Sequence, residues 1–123
     1  MIAKELTKAE EDLMQHLWTK DKSSVKELLN LYDEPKPAIN TVSTIIRILE
    51  QKGFVSHEVK GRGFIYFPLI SKEEYKNYSL RKIMGAYFEG SLSKMVSFFV
   101  EKEKLDHREL EDILNIINQN KGK

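Results

Sequence analysis

The chain has 123 residues, a formal net charge of +1 and 41% hydrophobic residues, which suffices for one compact domain and a smaller second one. It has no cysteine, which excludes disulfides and thiolate metal sites. No apolar run approaches the ~20 residues that a membrane-spanning helix needs. The charged N-terminus does not resemble an export signal, so we expect a cytoplasmic protein without membrane insertion.

The first 37 residues predict two helices and a rigid connector. Thr7 and Glu10 stand three residues apart, as a capping box requires, and Ser24 and Glu27 repeat this signal before a shorter helix. The prolines within residues 33–37 disfavour helix, so a third helix should begin after them. One face of the first helix is expected to carry Leu6, Ala9, Leu13, Leu17 and Trp18.

Residues 38–53 predict a helix with two opposed faces, closed by the left-handed cap of Gly53. The expected core-facing stripe consists of Ile39, Val42, Ile46 and Leu49. The opposite face carries Asn40, Ser43, Thr44, Arg47 and Gln51. Small polar groups with one cation are typical of a helix that enters the major groove of DNA, whereas a solvated face usually alternates Glu with Lys. The alternative is an ordinary exposed helix face.

Two β-rich runs follow, FVSHEV and FIYFPL, joined by a KGRG turn. Lys60 and Arg62 on this turn make a narrow basic tip that can lie along a phosphate backbone. A helix followed by such a hairpin predicts a winged helix-turn-helix that binds double-stranded DNA. Residues 35–67 contain five Lys or Arg against two Glu, which agrees with that function. The hairpin aromatics are expected to pack in the core and sheet; they are Phe64, Tyr66 and Phe67.

Residues 71–123 predict three further helices, with Ser71 and Glu74 as a capping box for the first. Their large apolar residues exceed what a piece of ~50 residues can bury alone, so a second copy should cover them. We therefore expect an α+β, mostly helical fold, with a winged helix-turn-helix domain at 1–70 and a helical dimerisation domain at 71–123. The expected dimer contacts are Leu80, Met84, Tyr87, Met95, Phe99, Leu110 and Ile117.

Catalytic and metal chemistry find no support in the sequence. His16, His57 and His107 are scattered, and no spacing gathers them on one helical face. There is no nucleophile with a nearby base in sequence and no phosphate loop, and the acidic residues are typical of solvated faces and helix caps. We expect neither enzyme activity nor a metal or other cofactor.

Five segments resemble the penicillinase-repressor (BlaI/MecI) family: LTKAEEDLMQHLW, VKELL, NTVSTIIRILEQKGFV, GRGFIYFPLISKEEY and FVEKEKLDHRELEDILNII. The resemblance covers residues 5–118 and implies a dimeric winged-helix repressor on a palindromic operator, with antibiotic-response genes as its targets. It places Lys60 and Arg62 on the wing, and Ile48 where the family commonly has arginine. The implied groove-facing residues are Asn40, Thr41, Ser43, Thr44 and Arg47.

The resemblance also implies a membrane sensor-peptidase as a signalling partner and a regulatory cut within SFFVEKEKLD. The corresponding junction is Phe98-Phe99, where relatives commonly show Asn-Phe; alternatively, these two aromatics pack in the dimer core. A second function class stays open, a protein-interaction adaptor whose winged fold does not bind DNA. Low net charge and Ile48 favour it. Steep salt dependence of DNA binding would instead indicate a repressor.

Overall fold

A computed structural model describes residues 5–103 and 106–120. The elements are α1 (Lys8–Lys20), α2 (Val25–Leu29), α3 (Ile39–Gln51), β1 (Val55–Lys60), β2 (Gly63–Pro68), α4 (Lys72–Tyr87), α5 (Leu92–Glu103) and α6 (His107–Asn120). The predicted α+β, mostly helical winged-helix fold is confirmed. The chain forms two compact units, 1–78 and 79–123. The domain boundary that the sequence predicts, between residues 70 and 71, stays a prediction. The two predicted domains also include residues 1–4, 104–105 and 121–123, which lie outside the described residues.

Side-chain caps determine where most of these helices begin. At α1 the hydroxyl of Thr7 accepts a hydrogen bond from Glu10 N–H at 3.2 Å, and the Glu10 carboxylate accepts one from Thr7 N–H at 3.0 Å. The same reciprocal pair stands at the starts of α2 and α4, so all three predicted capping boxes are confirmed. Helix α3 differs, because Ala38 at its N-cap makes no side-chain hydrogen bond.

The core of the first unit lies between α1, α2, α3 and the hairpin. Its buried apolar residues are Leu13, Met14, Leu17, Leu28, Val42, Ile46, Leu49, Phe54, Val55, Tyr66, Ile70 and Tyr75. The placement of Ile39 in the core was wrong: it is 47% exposed, because it is the first residue of α3, one turn before the buried stripe begins. Ala9 is also exposed, and its neighbour Glu10 is buried instead because Lys52 pairs with its carboxylate.

The first turns of α4 complete this core. The ring of Tyr75 is buried, and its centroid lies 5.8 Å from the rings of both Trp18 and Phe54. The indole N–H of Trp18 donates to the carbonyl of Ile70 at 2.9 Å. Residues just beyond the hairpin therefore belong to the winged unit, which the sequence pattern did not indicate.

The described residues of the unit 79–123 form the end of α4 with α5 and α6. The chain leaves α4 through Glu89 and Gly90, both in the left-handed region, and the rings of Phe88 and Phe98 pack 5.6 Å apart. Large apolar side chains stay exposed on all three helices. They are Leu80, Ile83, Tyr87, Leu92, Val96, Phe98, Phe99, Val100, Ile113, Leu114, Ile116 and Ile117.

Candidate nucleic-acid interface

Helix α3 has the two faces that its sequence predicts, except at Ile39. Val42, Ile46 and Leu49 are fully buried. The outward residues are Asn40, Thr41, Thr44 and Arg47, with Ser43 half-buried beside them. Because α3 carries a single carboxylate, that of Glu50 near its end, the outward face is polar over its first two turns and cationic at Arg47 in the third.

Two hydrogen bonds orient side chains on this face. The hydroxyl of Thr44 donates to the carbonyl of Asn40 at 2.9 Å, so a group of the same helix satisfies its proton. The Nε of Arg47 donates to the carbonyl of Ser43 at 3.2 Å. This bond uses one of the five guanidinium donors and aligns the side chain along the helix, while both terminal amino groups are left for another acceptor.

The hairpin places its two cations at and beside its tip. Lys60 pairs with Gly63, which leaves Gly61 and Arg62 as a two-residue turn. Gly61 has φ +63°, which the first central residue of a type II′ turn requires. The sequence predicted all four residues of KGRG in the turn. In the structure, Lys60 and Gly63 are instead the last paired residues of the two strands. Both cations are exposed.

Contacts with the helices fix the position of the wing. His57 Nδ1 in β1 lies 2.8 and 3.0 Å from the two carboxylate oxygens of Glu50 in α3. Ser23, just before α2, exchanges two backbone hydrogen bonds with Tyr66 in β2, at 3.0 and 2.8 Å. The sequence did not reveal the role of His57, because its partner belongs to a different element.

The three hairpin aromatics differ in their surroundings. Tyr66 is buried, as expected, and Phe67 is half-buried with Lys22 Nζ 5.7 Å from its ring centroid. The placement of Phe64 in the core was wrong. It is 49% exposed, because it stands near the hairpin turn in the outer part of the sheet, although its ring packs on His57 at 4.6 Å.

A surface groove of about 520 Å³ separates α3 from the wing. It is lined by Ser24, Val25, Asn40, Ser43, Arg47, Gly63, Phe64 and Tyr66. None of these residues carries a carboxylate, and Arg47 is the cation among them. Burial, together with nearby Glu50, raises the pKa of Tyr66, so its hydroxyl remains a neutral hydrogen-bonding group at neutral pH. A second recess on α3 is lined by Asn40, Thr41, Thr44 and Ile45.

Some cations of the basic stretch serve the fold instead. Lys52 Nζ donates to Glu10 Oε1 at 2.5 Å and to the Glu5 carbonyl at 2.9 Å. Burial alone would raise the pKa of Glu10, but its hydrogen bonds with Lys52 and with the backbone of Thr7 lower it overall. Lys36 donates to two backbone carbonyls at the end of α2. The cations near the groove and wing tip are therefore fewer than the sequence count of five suggested.

The predicted dimer and cleavage residues lie in α4, α5 and α6. Leu80, Tyr87, Phe99 and Ile117 are exposed. The half-buried ones are Met84, Met95 and Leu110. The Phe98-Phe99 bond lies inside α5, and both side chains are half-exposed. Within residues 5–103 and 106–120, no group of three or more His, Asp or Glu could hold a metal ion, and no helix is long and apolar enough to cross a membrane.

Comparisons with known proteins agree with this geometry. The model of the family described as "Penicillinase repressor" matches residues 6–119. "Methicillin resistance regulatory protein MecI" of Staphylococcus aureus strain N315 is 28% identical over 116 residues, covering 94% of both chains. The "Penicillinase repressor" of Bacillus licheniformis is 23% identical over 120 residues, covering 97% of this chain and 94% of the relative. The Staphylococcus aureus protein of that name is 24% identical over 115 residues, covering 93% and 91%.

Proposed function

Because this chain belongs to the penicillinase repressor family, we propose that it represses transcription as a dimer that occupies a palindromic operator. The predicted family is confirmed, and its members are DNA-binding regulators, not enzymes. The observation that carries the proposal is the groove between α3 and the wing, whose lining includes the cationic Arg47 and the polar Asn40 and Ser43 but no carboxylate. Such a surface complements the negative charge of DNA.

Helix α3 reads the operator in the major groove. The side-chain amide of Asn40 accepts one hydrogen bond from an adenine and donates another to it. The terminal amino groups of Arg47 donate two hydrogen bonds to a guanine. Each side chain can make such a bidentate contact with the major-groove edge of its base. The methyl group of Thr44, which is an exposed residue, packs against a thymine methyl. Thr41 and Ser43 supply further polar contacts. Lys60 and Arg62 bind backbone phosphates and set the register of the wing.

The second copy supplies the second recognition helix. Two half-sites of a palindrome lie about 34–36 Å apart along one face of DNA, which a two-fold symmetric dimer matches. Exposed apolar side chains on α4, α5 and α6 support a second copy as the partner that covers them. We assign the contact to Leu80, Met84, Tyr87, Met95, Phe99, Leu110 and Ile117.

The regulated genes belong to an antibiotic response, and the repressor acts in the cytoplasm. The relatives support this role, since their names describe regulation of methicillin resistance and repression of penicillinase. A membrane sensor-peptidase starts induction, which ends in a cut at Phe98-Phe99. Because this bond lies inside α5, the helix must open locally before a protease can act on it.

Selection of genomic DNA fragments by the purified protein tests the proposal. The selected fragments should share a palindrome, and affinity for them should fall steeply as the salt concentration rises. Asn40→Ala should cost about 1–3 kcal/mol on the selected site and less on a scrambled duplex. A protein that retards no DNA even at low salt would be an adaptor instead, and the proposal would fail.

A further inference from the structure

An exposed apolar pair stands at the end of the wing. One face of the hairpin carries three cross-strand pairs, which are Val55 with Pro68, His57 with Tyr66 and Val59 with Phe64. Along this face the side chains change from buried to exposed towards the tip, where Val59 is 70% exposed. Unlike the first two pairs, the last one contributes little to the core.

Phe64 nevertheless has a fixed position. Its ring lies 4.6 Å from the ring of His57 and 6.3 Å from that of Tyr66. His57 is in turn held by the carboxylate of Glu50, and Tyr66 by the backbone of Ser23. A half-exposed aromatic ring that is already ordered loses little conformational entropy when a partner covers it.

The surroundings of Phe64 indicate the chemistry of that partner. Phe64 lines the groove opposite α3, and Asn40, Ser43 and Arg47 line its other side. Lys60 and Arg62 follow at the hairpin tip. An apolar ring flanked by cations complements a sugar-phosphate strand, in which apolar deoxyribose faces alternate with anionic phosphates.

We propose that Phe64 packs against a deoxyribose of the DNA strand that passes between the wing and α3. This inference rests on the proposed function, since it requires α3 to lie in the major groove. Phe64 then contributes affinity without reading sequence, because every nucleotide presents the same sugar. Val59, which faces Phe64 from β1, borders the same sugar.

The test compares Phe64 variants on two fluorescent duplexes, a selected operator fragment and its scrambled version. Phe64→Ala and Phe64→Gln should each weaken binding to both duplexes by roughly tenfold per subunit, because the covered ring area is lost. The salt dependence should stay unchanged, since no charge is removed. Phe64→Leu should bind nearly as well as the parent, and urea denaturation of every variant separates lost binding from lost folding.

Leu69→Ala is the matched control, because Leu69 is 54% exposed and does not line the groove. It should leave binding unchanged. If the Phe64→Gln protein folds and binds both duplexes like the parent, the inference is overturned while the proposed function stands. A loss that disappears when uracil replaces thymine would also overturn it, and would assign Phe64 to a thymine methyl. A parent protein that binds neither duplex would overturn both.

Discussion

Glu10 is buried at the start of α1, where Lys52 and the backbone of Thr7 donate hydrogen bonds to its carboxylate. Lys52, at the end of α3, is only 20% exposed and donates to Glu5 as well. One ammonium group thus links the N-terminal segment, α1 and α3. Because a buried charge without a partner costs several kcal/mol, each member of this pair depends on the other.

Lys52→Met should lower the free energy of unfolding by about 2–3 kcal/mol at neutral pH, because Glu10 keeps its charge and loses its cation. In the parent, the pKa of Glu10 is lower in the folded than in the unfolded protein, so ionised Glu10 stabilises the fold at any pH above the pKa of the unfolded state. This stabilisation is lost as the pH falls through the lowered pKa of the folded state. In the variant, burial raises the pKa of Glu10. Protonation of Glu10 as the pH falls then removes the cost of its buried, unpaired charge. The difference between the two proteins should therefore shrink from about pH 7 to about pH 4.

Urea denaturation over this pH range measures the difference. Lys22→Met is the matched control, because its partner Glu58 lies 3.4 Å away and both side chains are more than half exposed. Such a surface pair contributes less than about 1 kcal/mol. A difference between Lys52→Met and the parent that is the same at every pH would contradict the assigned pairing.

Among the secondary-structure elements, α3 begins without a side-chain cap, whereas Thr7 and Ser24 cap α1 and α2. Ala38 already has the extended conformation of an N-cap, with φ −67° and ψ 147°. A serine at this position needs no backbone change to accept a hydrogen bond from the first turn.

Ala38→Ser should raise the free energy of unfolding by about 1 kcal/mol, because its hydroxyl satisfies one first-turn N–H group. Thermal and urea denaturation measure the gain. Ala38→Val is the control, since valine cannot cap, and it should give no gain. Equal stability of the serine and alanine proteins would mean that the first turn of α3 already has its donors satisfied.

The wing is the second element whose role is testable on its own. Changing Lys60 and Arg62 together to Ala should weaken binding to every duplex and lower the salt dependence by up to about two charges per subunit. Titrations of operator and scrambled DNA over a salt series measure both effects. The control changes Lys8 and Lys76 to Ala, two exposed cations outside α3 and the wing. Unchanged affinity and salt dependence in the wing variant would exclude phosphate contact there.

Local patterns predicted the elements well, because caps and helical spacing depend on residues three or four apart. They failed where a distant element decides the outcome. Helical spacing gives the direction of Ile39 but not how far the core extends. Nothing local indicates that Lys52 reaches Glu10, 42 positions earlier, or that Tyr75 returns to the winged core. The aromatic run of β2 predicts Phe64 in the core, but it does not show how far the core extends towards the hairpin tip, where Phe64 is half-exposed.

At the scale of the whole molecule, the proposed function assigns DNA reading to the winged unit and assembly to the unit 79–123. Linking two recognition units in one dimer makes the second contact intramolecular, which raises affinity by about 10²–10⁴ over a single unit. In the proposed dimer, the apolar surface of α4, α5 and α6 therefore contributes to operator affinity without touching DNA. We therefore expect any event that breaks this proposed dimer to weaken DNA binding while the winged unit stays folded.

A chain that ends after Tyr78 should be a folded monomer with operator affinity about 10²–10⁴ lower. It retains Tyr75 and the partly buried Tyr78 on the first core. Sedimentation measures the mass of the fragment in solution, and DNA titration measures its affinity for the operator. The matched control ends after Ile70 and should be less stable by about 3–5 kcal/mol, because Tyr75 is lost from the core. A Tyr78 fragment that remained dimeric would contradict the assembly through α4, α5 and α6.

Trp18 is the only tryptophan of the chain, and it stands where α4 joins the winged unit. Its indole donates to the Ile70 carbonyl, and its ring lies 5.8 Å from that of Tyr75. Loss of either contact would expose the indole to water and shift its emission to longer wavelength. Intrinsic fluorescence thus reports, without any label, whether the first turns of α4 stay docked during a DNA titration or after a cut in α5.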